Sequence, residues 1–163
     1  MPVIETTQDP ATASFTVVTE LAAPPERVWR LWADPRQVER WWGPPGYPAA
    51  FHVLDLVVGG RAHYTMPNDQ GGLSHAFWRV LAVDEPRSLE IENGFANEQG
   101  EPDDSFVRSN VFHVDFEPIA TGTRMTIVSR FDDAEHLAQM LGYGMETGLS
   151  MALGQIDAIL AEG

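Results

Sequence analysis

The chain has 163 residues, a net charge of −14 and an apolar fraction of 44%, which fits one domain of ordinary globular composition. Its ten basic residues are all Arg, and neither Lys nor Cys occurs, which excludes disulfides, thiolate nucleophiles, thiolate metal sites and lysine Schiff bases. The acidic balance opposes binding to phosphate backbones and anionic membranes, so no nucleic-acid or membrane partner is expected.

Residues 1–13 hold no basic residue and no apolar run. They are expected to form a flexible tail before a single domain over 14–163, with no signal peptide, no membrane span and a cytoplasmic location. Phe15 to Leu21 alternates Phe15, Val17, Thr19 and Leu21 and reads as a strand. Pro24-Pro25 stops it. Pro25 suits the first turn of a helix with Val28, Leu31 and Trp32 on one face. Asp34 then caps a second short helix with Pro35 at its first position and Val38, Trp41 and Trp42 at the same spacing. Gly43-Pro44-Pro45-Gly46 ends that helix.

Short strands follow with turn signals between them. Phe51 to Val58 leads through Gly59-Gly60 into Arg61 to Met66. Next come His75 to Val83 and Ser88 to Phe95. After a polar loop, Ser105 to Phe116 and Thr123 to Phe131 form a last hairpin. This spacing argues an antiparallel sheet rather than βαβ units. The period then changes. Asp132 and Glu135 have capping-box spacing, and Leu141, Met145, Gly148, Leu149, Ala152, Ile156 and Ile159 share one face. A single helix over 133–162 would run about 45 Å at ~1.5 Å per residue. Gly144 and Gly148 within it mark either a kink or space left beside a cavity. One long amphipathic helix must bury its face on the sheet, so the sheet must curl around it. The expected fold is α+β: a curved antiparallel sheet of about six or seven strands around a long C-terminal helix, with two short helices after the first strand.

The order and the motifs together resemble a known superfamily. Ala23-Pro24-Pro25-Glu26-Arg27-Val28-Trp29, Asp34-Pro35, Trp41-Trp42-Gly43-Pro44, Asp55 before Gly59-Gly60-Arg61, Gly122-Thr123-Arg124 and Gly144-Met145-Glu146 with Gly148 span residues 15–160. The chain is similar in these to the helix-grip (START, birch-pollen-allergen-like, SRPBCC) superfamily. Within it, the chain resembles bacterial relatives of the activator of the heat-shock chaperone ATPase, from which it departs at Leu149, where Trp often follows the Gly. The resemblance implies a fold with a cavity and no single chemistry.

Candidate lining residues follow from strand and helix parity. Trp41 and Trp42 are the aromatic candidates at the sheet mouth, but adjacent helix positions point about 100° apart, so both are not expected to face the cavity: either one of them lines it, or they anchor the short helix on the core. Phe51, Tyr64 and Met66 are nominated from the first hairpin, and Phe77, Arg79 and Phe95 from the next two strands. Arg108, Asn110 and Phe112 share a face with Phe106 in the following strand, and Leu141, Gly144, Met145 and Gly148 come from the helix. Asn93 and Ser129 are further polar candidates. An inward Arg needs a carboxylate from the protein or the ligand, so an anionic ligand group is the expectation at Arg108 or Arg79.

No catalytic residue, metal ligand or cofactor site is assigned. The five His residues lack helical metal spacing, although His52 and His63 flank the Gly59-Gly60 hairpin. His113 is expected to point outward, and His136 to be exposed. No G-x-S-x-G turn occurs. The expected function is binding of a small hydrophobic molecule, an anionic group included, by a monomer or homodimer. The alternatives are a polyketide cyclase or dehydratase-like enzyme working through His63, His75, His113, Asp55 or Tyr64, and a chaperone-associated module of the stress response. Eight acids against one Arg between Asp84 and Asp104 read as a solvated acidic loop, the alternative being a docking surface for a basic partner or for a second copy's Arg-bearing helices.

Overall fold

The computed structural model describes residues 3–43, 45–68, 71–105 and 107–162, so Phe106 and Pro44 of the motifs above lie outside it. Eight strands are arranged in one antiparallel sheet: β1 (Val3–Asp9), β2 (Ser14–Leu21), β3 (Ala50–Leu54), β4 (Arg61–Pro67), β5 (Leu73–Asp84), β6 (Ser88–Phe95), β7 (Asn110–Ile119) and β8 (Gly122–Arg130). Their order is β1-β2-β8-β7-β6-β5-β4-β3, with β1 and β3 at the open edges. Two short helices, α1 (Pro25–Ala33) and α2 (Pro35–Trp41), follow β2. Three helical segments close the chain: α3 (Ala134–Gly142), α4 (Met145–Leu153) and α5 (Ile156–Ala161).

The early part of the chain folds as its residue types dictate. Pro25 and Pro35 each open a helix, and the Asp34 carboxylate accepts from the Arg36 backbone N–H at 2.9 Å, satisfying an amide left free at the helix start. The apolar face of α1 buries Val28, Trp29, Leu31 and Trp32, and α2 buries Val38 and Trp41. Phe15, Val17 and Leu21 of β2 meet them from the concave face of the sheet, with Met125 and Ile127 of β8. Trp32 lies at the centre, 4.8 Å from Trp41 and 5.8 Å from Phe112 between ring centroids.

Several expectations are corrected. The sheet has one or two strands more than expected. Residues 3–9 form an edge strand on β2, where the sequence suggested a tail. An edge strand with both faces largely solvated needs no apolar alternation, so its sequence carries no strand signal. Its Gln8 amide donates to Glu146 of α4 at 2.9 Å, tying the edge to the C-terminal helices.

The single long helix is interrupted twice. Gly144 takes φ +87°, a left-handed conformation that ends α3 and opens α4, and such a residue cannot continue a right-handed helix. The α3 cap is Asp133 rather than Asp132, its carboxylate accepting from His136 N–H at 2.8 Å. A second break separates α4 from α5, where Gln155 donates to the Gly43 and Trp41 carbonyls at 2.8 and 3.3 Å. That side chain pins the helix break to the end of α2.

The β7–β8 turn shows why one motif glycine is required. Gly122 has φ +147°, and a Cβ there would lie 2.0 Å from the Leu21 carbonyl oxygen, while Thr123 Oγ1 donates to the Ala23 carbonyl at 2.7 Å. The turn thus clasps the point where β2 gives way to α1. Gly122→Ala is expected to cost about 3 kcal/mol of stability, through backbone strain and displacement of this clasp. Urea unfolding of the variant checks this, and a loss within experimental error would show that the clasp can move freely.

Candidate functional site

The concave face of the sheet and the face of α4 do not close on each other completely. Between them lies a cavity of about 280 Å³, bounded by β4 to β8, the end of α2, Met140 of α3 and the Met145, Gly148, Leu149 and Ala152 face of α4. Those four α4 positions follow helical i, i+3, i+4, i+7 spacing. Trp42, the residue that ends α2, forms one wall, its ring 5.2 Å from Trp78 and 5.8 Å from Phe112. Trp41 does not line the cavity. It is fully buried, and its indole N–H donates to the Leu31 carbonyl at 2.9 Å. The two adjacent indoles therefore point apart, one into the core and one onto the cavity.

Of the sequence candidates, Trp42, Tyr64, Met66, Phe95, Arg108, Asn110, Phe112, Met145 and Gly148 lie on the cavity wall. Trp41, Phe51, Phe77, Arg79, Leu141 and Gly144 do not. Phe51 is buried behind the wall, stacked on Tyr64 with ring centroids 4.7 Å apart. Phe77 and Arg79 belong to the convex face, because the concave residues of β5 are Ala76, Trp78 and Val80. Phe77 is nonetheless buried, and it borders a second cleft together with residues 102–104 and Val107. Arg79 pairs with Glu92 at 3.2 Å on that outer face. Leu141 packs against the core without reaching the cavity.

Arg108 precedes β7, which begins at Asn110 rather than at Ser105. Its guanidinium stands at the rim, with Nη1 3.1 Å from Asp132 and Nη2 3.5 Å from Asp133. The protein itself thus supplies the carboxylates that the sequence reading sought from a protein or a ligand. The His136 backbone N–H holds the Asp133 carboxyl below its ordinary pKa, with Arg108 adding to the effect.

His136 itself is fully buried, not exposed. Its Nδ1 accepts from the Asp132 N–H at 3.2 Å, so Nε2 carries the proton and donates to the Arg108 carbonyl at 3.1 Å. The ring thus staples the start of α3 to the segment that enters β7.

Polar groups on the concave wall are few. The Tyr64 hydroxyl donates to Asn93 Oδ1 at 2.7 Å, and burial holds its phenol pKa well above the ordinary value. Tyr64 and Arg108 are the titratable residues on the described wall, which carries neither a carboxylate nor an imidazole. The remaining histidines lie elsewhere. His113 points outward to Glu90 and Asp115 at 3.3 and 3.1 Å. His52, His63 and His75 form a ladder on the convex side, with His63 Nε2 2.9 Å from His75 Nδ1 and the His52 ring 5.4 Å from that of His63. Partial burial, then the neighbouring imidazoles, lower the His63 pKa. Among the described residues no group of three or more His, Asp or Glu is placed to hold a metal ion.

Sequence parity missed Gly43, Ala76, Gly94, Val107 and Met140. Ala76 was recoverable, since it shares a face with Trp78; Val107 lies outside the strands, and the break at Gly144 puts Met140 out of step with the α4 face.

A curved, unclosed sheet wrapped on C-terminal helices, with an apolar cavity between them, defines a helix-grip domain. The family model described as Activator of Hsp90 ATPase homolog 1-like protein matches residues 22–161, and the chain belongs to that family. It is similar to protein Ms6760 from Mycobacterium smegmatis, with 40% identity over 98% of this chain and 97% of that one and a TM-score of 0.89. A protein from Arthrobacter aurescens is 41% identical over 99% of this chain and 93% of that one, with a TM-score of 0.90. The AHSA1 protein from Silicibacter pomeroyi, 23% identical over 91% of this chain and 98% of that one, shares the fold with a TM-score of 0.72. No curated protein matches. No described helix is long and apolar enough to cross a membrane.

Proposed function

We propose that the chain binds a small, largely apolar molecule in the cavity between the concave sheet face and α4. The observation that carries this reading is the wall itself: aromatic rings of Trp42, Tyr64 and Phe112 on one side and the Met145–Leu149 face of α4 on the other. At about 280 Å³ the cavity is at the small end of ligand sites, which run from ~300 to 1,000 Å³. Methionines on the helical side suit a site that adapts to its occupant. Anionic recognition loses its support, because Arg79 lies on the outer face and Arg108 is held by two aspartates.

Proton-transfer chemistry finds little support on this wall. A general acid or base works best with a pKa near the operating pH, and burial moves the Tyr64 phenol further from neutrality. Retention of a ligand is what the wall is equipped to do. Native mass spectrometry of freshly purified protein tests this directly. A co-purifying small molecule, released on unfolding and returning on titration with saturable thermal stabilisation, is the expected result. Protein that carries nothing and is not stabilised by any lipophilic compound would count against it.

A further inference from the structure

Apart from Tyr64 and the rim residue Arg108, the polar side chains of the concave wall fall in one short strip. Asn93 of β6 and Asn110 of β7 stand opposite each other in register, and Ser129 of β8 lies one diagonal step on, opposite Phe112. All three line the cavity. Asn110 and Ser129 are only 9% and 6% exposed. Asn93 Oδ1 is engaged by the Tyr64 hydroxyl. Among the described residues, nothing accepts from the Asn93 amide group, and the side chains of Asn110 and Ser129 have no hydrogen-bond partner.

Beside the strip, the neighbouring concave positions Ile91, Phe112 and Ile127 of the same three strands are apolar and buried. The polar atoms of the strip are open to the cavity, so a ligand seated there must replace the hydrogen bonds of the water it displaces or forfeit roughly 1–3 kcal/mol for each group left unpaired. The strip carries no charge. A carboxylate seated on it would leave water without a counter-charge, and at the rim it would meet Asp132 and Asp133, which outnumber Arg108. An ammonium group would be desolvated with the same lack of a partner. Amide and hydroxyl side chains offer both donors and acceptors, which matches a ligand group that does the same.

We infer that the cavity selects an apolar molecule bearing a neutral group that both donates and accepts hydrogen bonds, such as a primary amide or an alcohol, seated on Asn93, Asn110 and Ser129. This rests on the cavity being the binding site. Octanamide and octanoate separate charge from shape, since the two are nearly isosteric, and butylbenzene reports on the apolar wall without any polar group. Titration calorimetry at neutral pH is expected to show octanamide binding at least about tenfold more tightly than octanoate. In Asn110→Leu and in Ser129→Ala that preference is expected to fall severalfold while butylbenzene still binds. Ser129→Ala removes one atom, so it keeps the test informative if Asn110→Leu does not fold.

Octanoate binding as tightly as octanamide would overturn the inference and leave the cavity reading intact. So would a preference unchanged in Ser129→Ala and in folded Asn110→Leu. Failure of all three compounds to bind would overturn the cavity reading, and this inference with it.

Discussion

Trp32→Ala is expected to lower the unfolding free energy by about 3–5 kcal/mol, the range for removing a large aromatic side chain from a packed core. Trp32 is fully buried and stands at the junction of α1, α2 and the sheet. Its ring lies within 6.0 Å of the Trp41, Trp42, Trp78 and Phe112 rings, and its indole N–H points at Met125 Sδ at 3.4 Å. Aromatic pairs in edge or tilted geometry add stability beyond the area they bury. A native domain has only ~5–15 kcal/mol in total, so the variant is expected to sit near the limit of folding. Trp32→Phe keeps most of the contacts and should cost much less. Trp32 also sets the position of Trp42, so the same variant, where folded, should bind apolar compounds more weakly although residue 32 touches no ligand. Urea unfolding followed by tryptophan emission measures the first effect. A loss under about 1 kcal/mol would mean that the neighbouring rings close the gap on their own.

The order of elements was legible because the periods were clear. Alternation at Phe15–Leu21, the proline-opened helices and the change of period after Phe131 each rest on local residue types. The failures have a common physical origin, in that tertiary contacts decided them. Phe77 looks like a concave residue, but the concave set of its strand is Ala76, Trp78 and Val80, and a bulge between Val80 and Ala82 shifts the parity beyond them. The edge strand Val3–Asp9 is polar because its role is pairing rather than burial. Arg108 could be named as a candidate from its strand parity. That two aspartates from the start of the C-terminal helices hold it could not be read from its neighbours.

The candidate site was legible in the same measure. Residues inside regular elements, such as Tyr64, Phe112 and Met145, could be placed by periodicity. Met140 and Val107 line the wall through the way separate elements come together.

The two glycines of the C-terminal motif should respond in opposite ways to one substitution. Gly148 lies on the cavity face of α4, and a Cβ there meets nothing within 4 Å. Leucine at this position has room to extend beside Met145 and Ala152 and to take up part of the cavity. It also relieves the helix of an interior glycine, worth up to about 1 kcal/mol. Gly148→Leu is therefore expected to hold or raise the thermal midpoint while weakening octanamide and butylbenzene binding at least about tenfold, since a filled site excludes its occupant. Gly144 has equal open space but the wrong backbone for a side chain, with φ +87° at the start of α4. Leucine in a left-handed conformation costs roughly 1–2 kcal/mol, and Gly144 does not line the cavity. Gly144→Leu is thus expected to lower the thermal midpoint and change binding little. Measuring melting and calorimetric affinity on both variants separates the two roles: space beside a cavity at 148, a backbone turn at 144. If Gly148→Leu binds butylbenzene as well as the parent chain does, apolar ligands sit somewhere other than beneath α4.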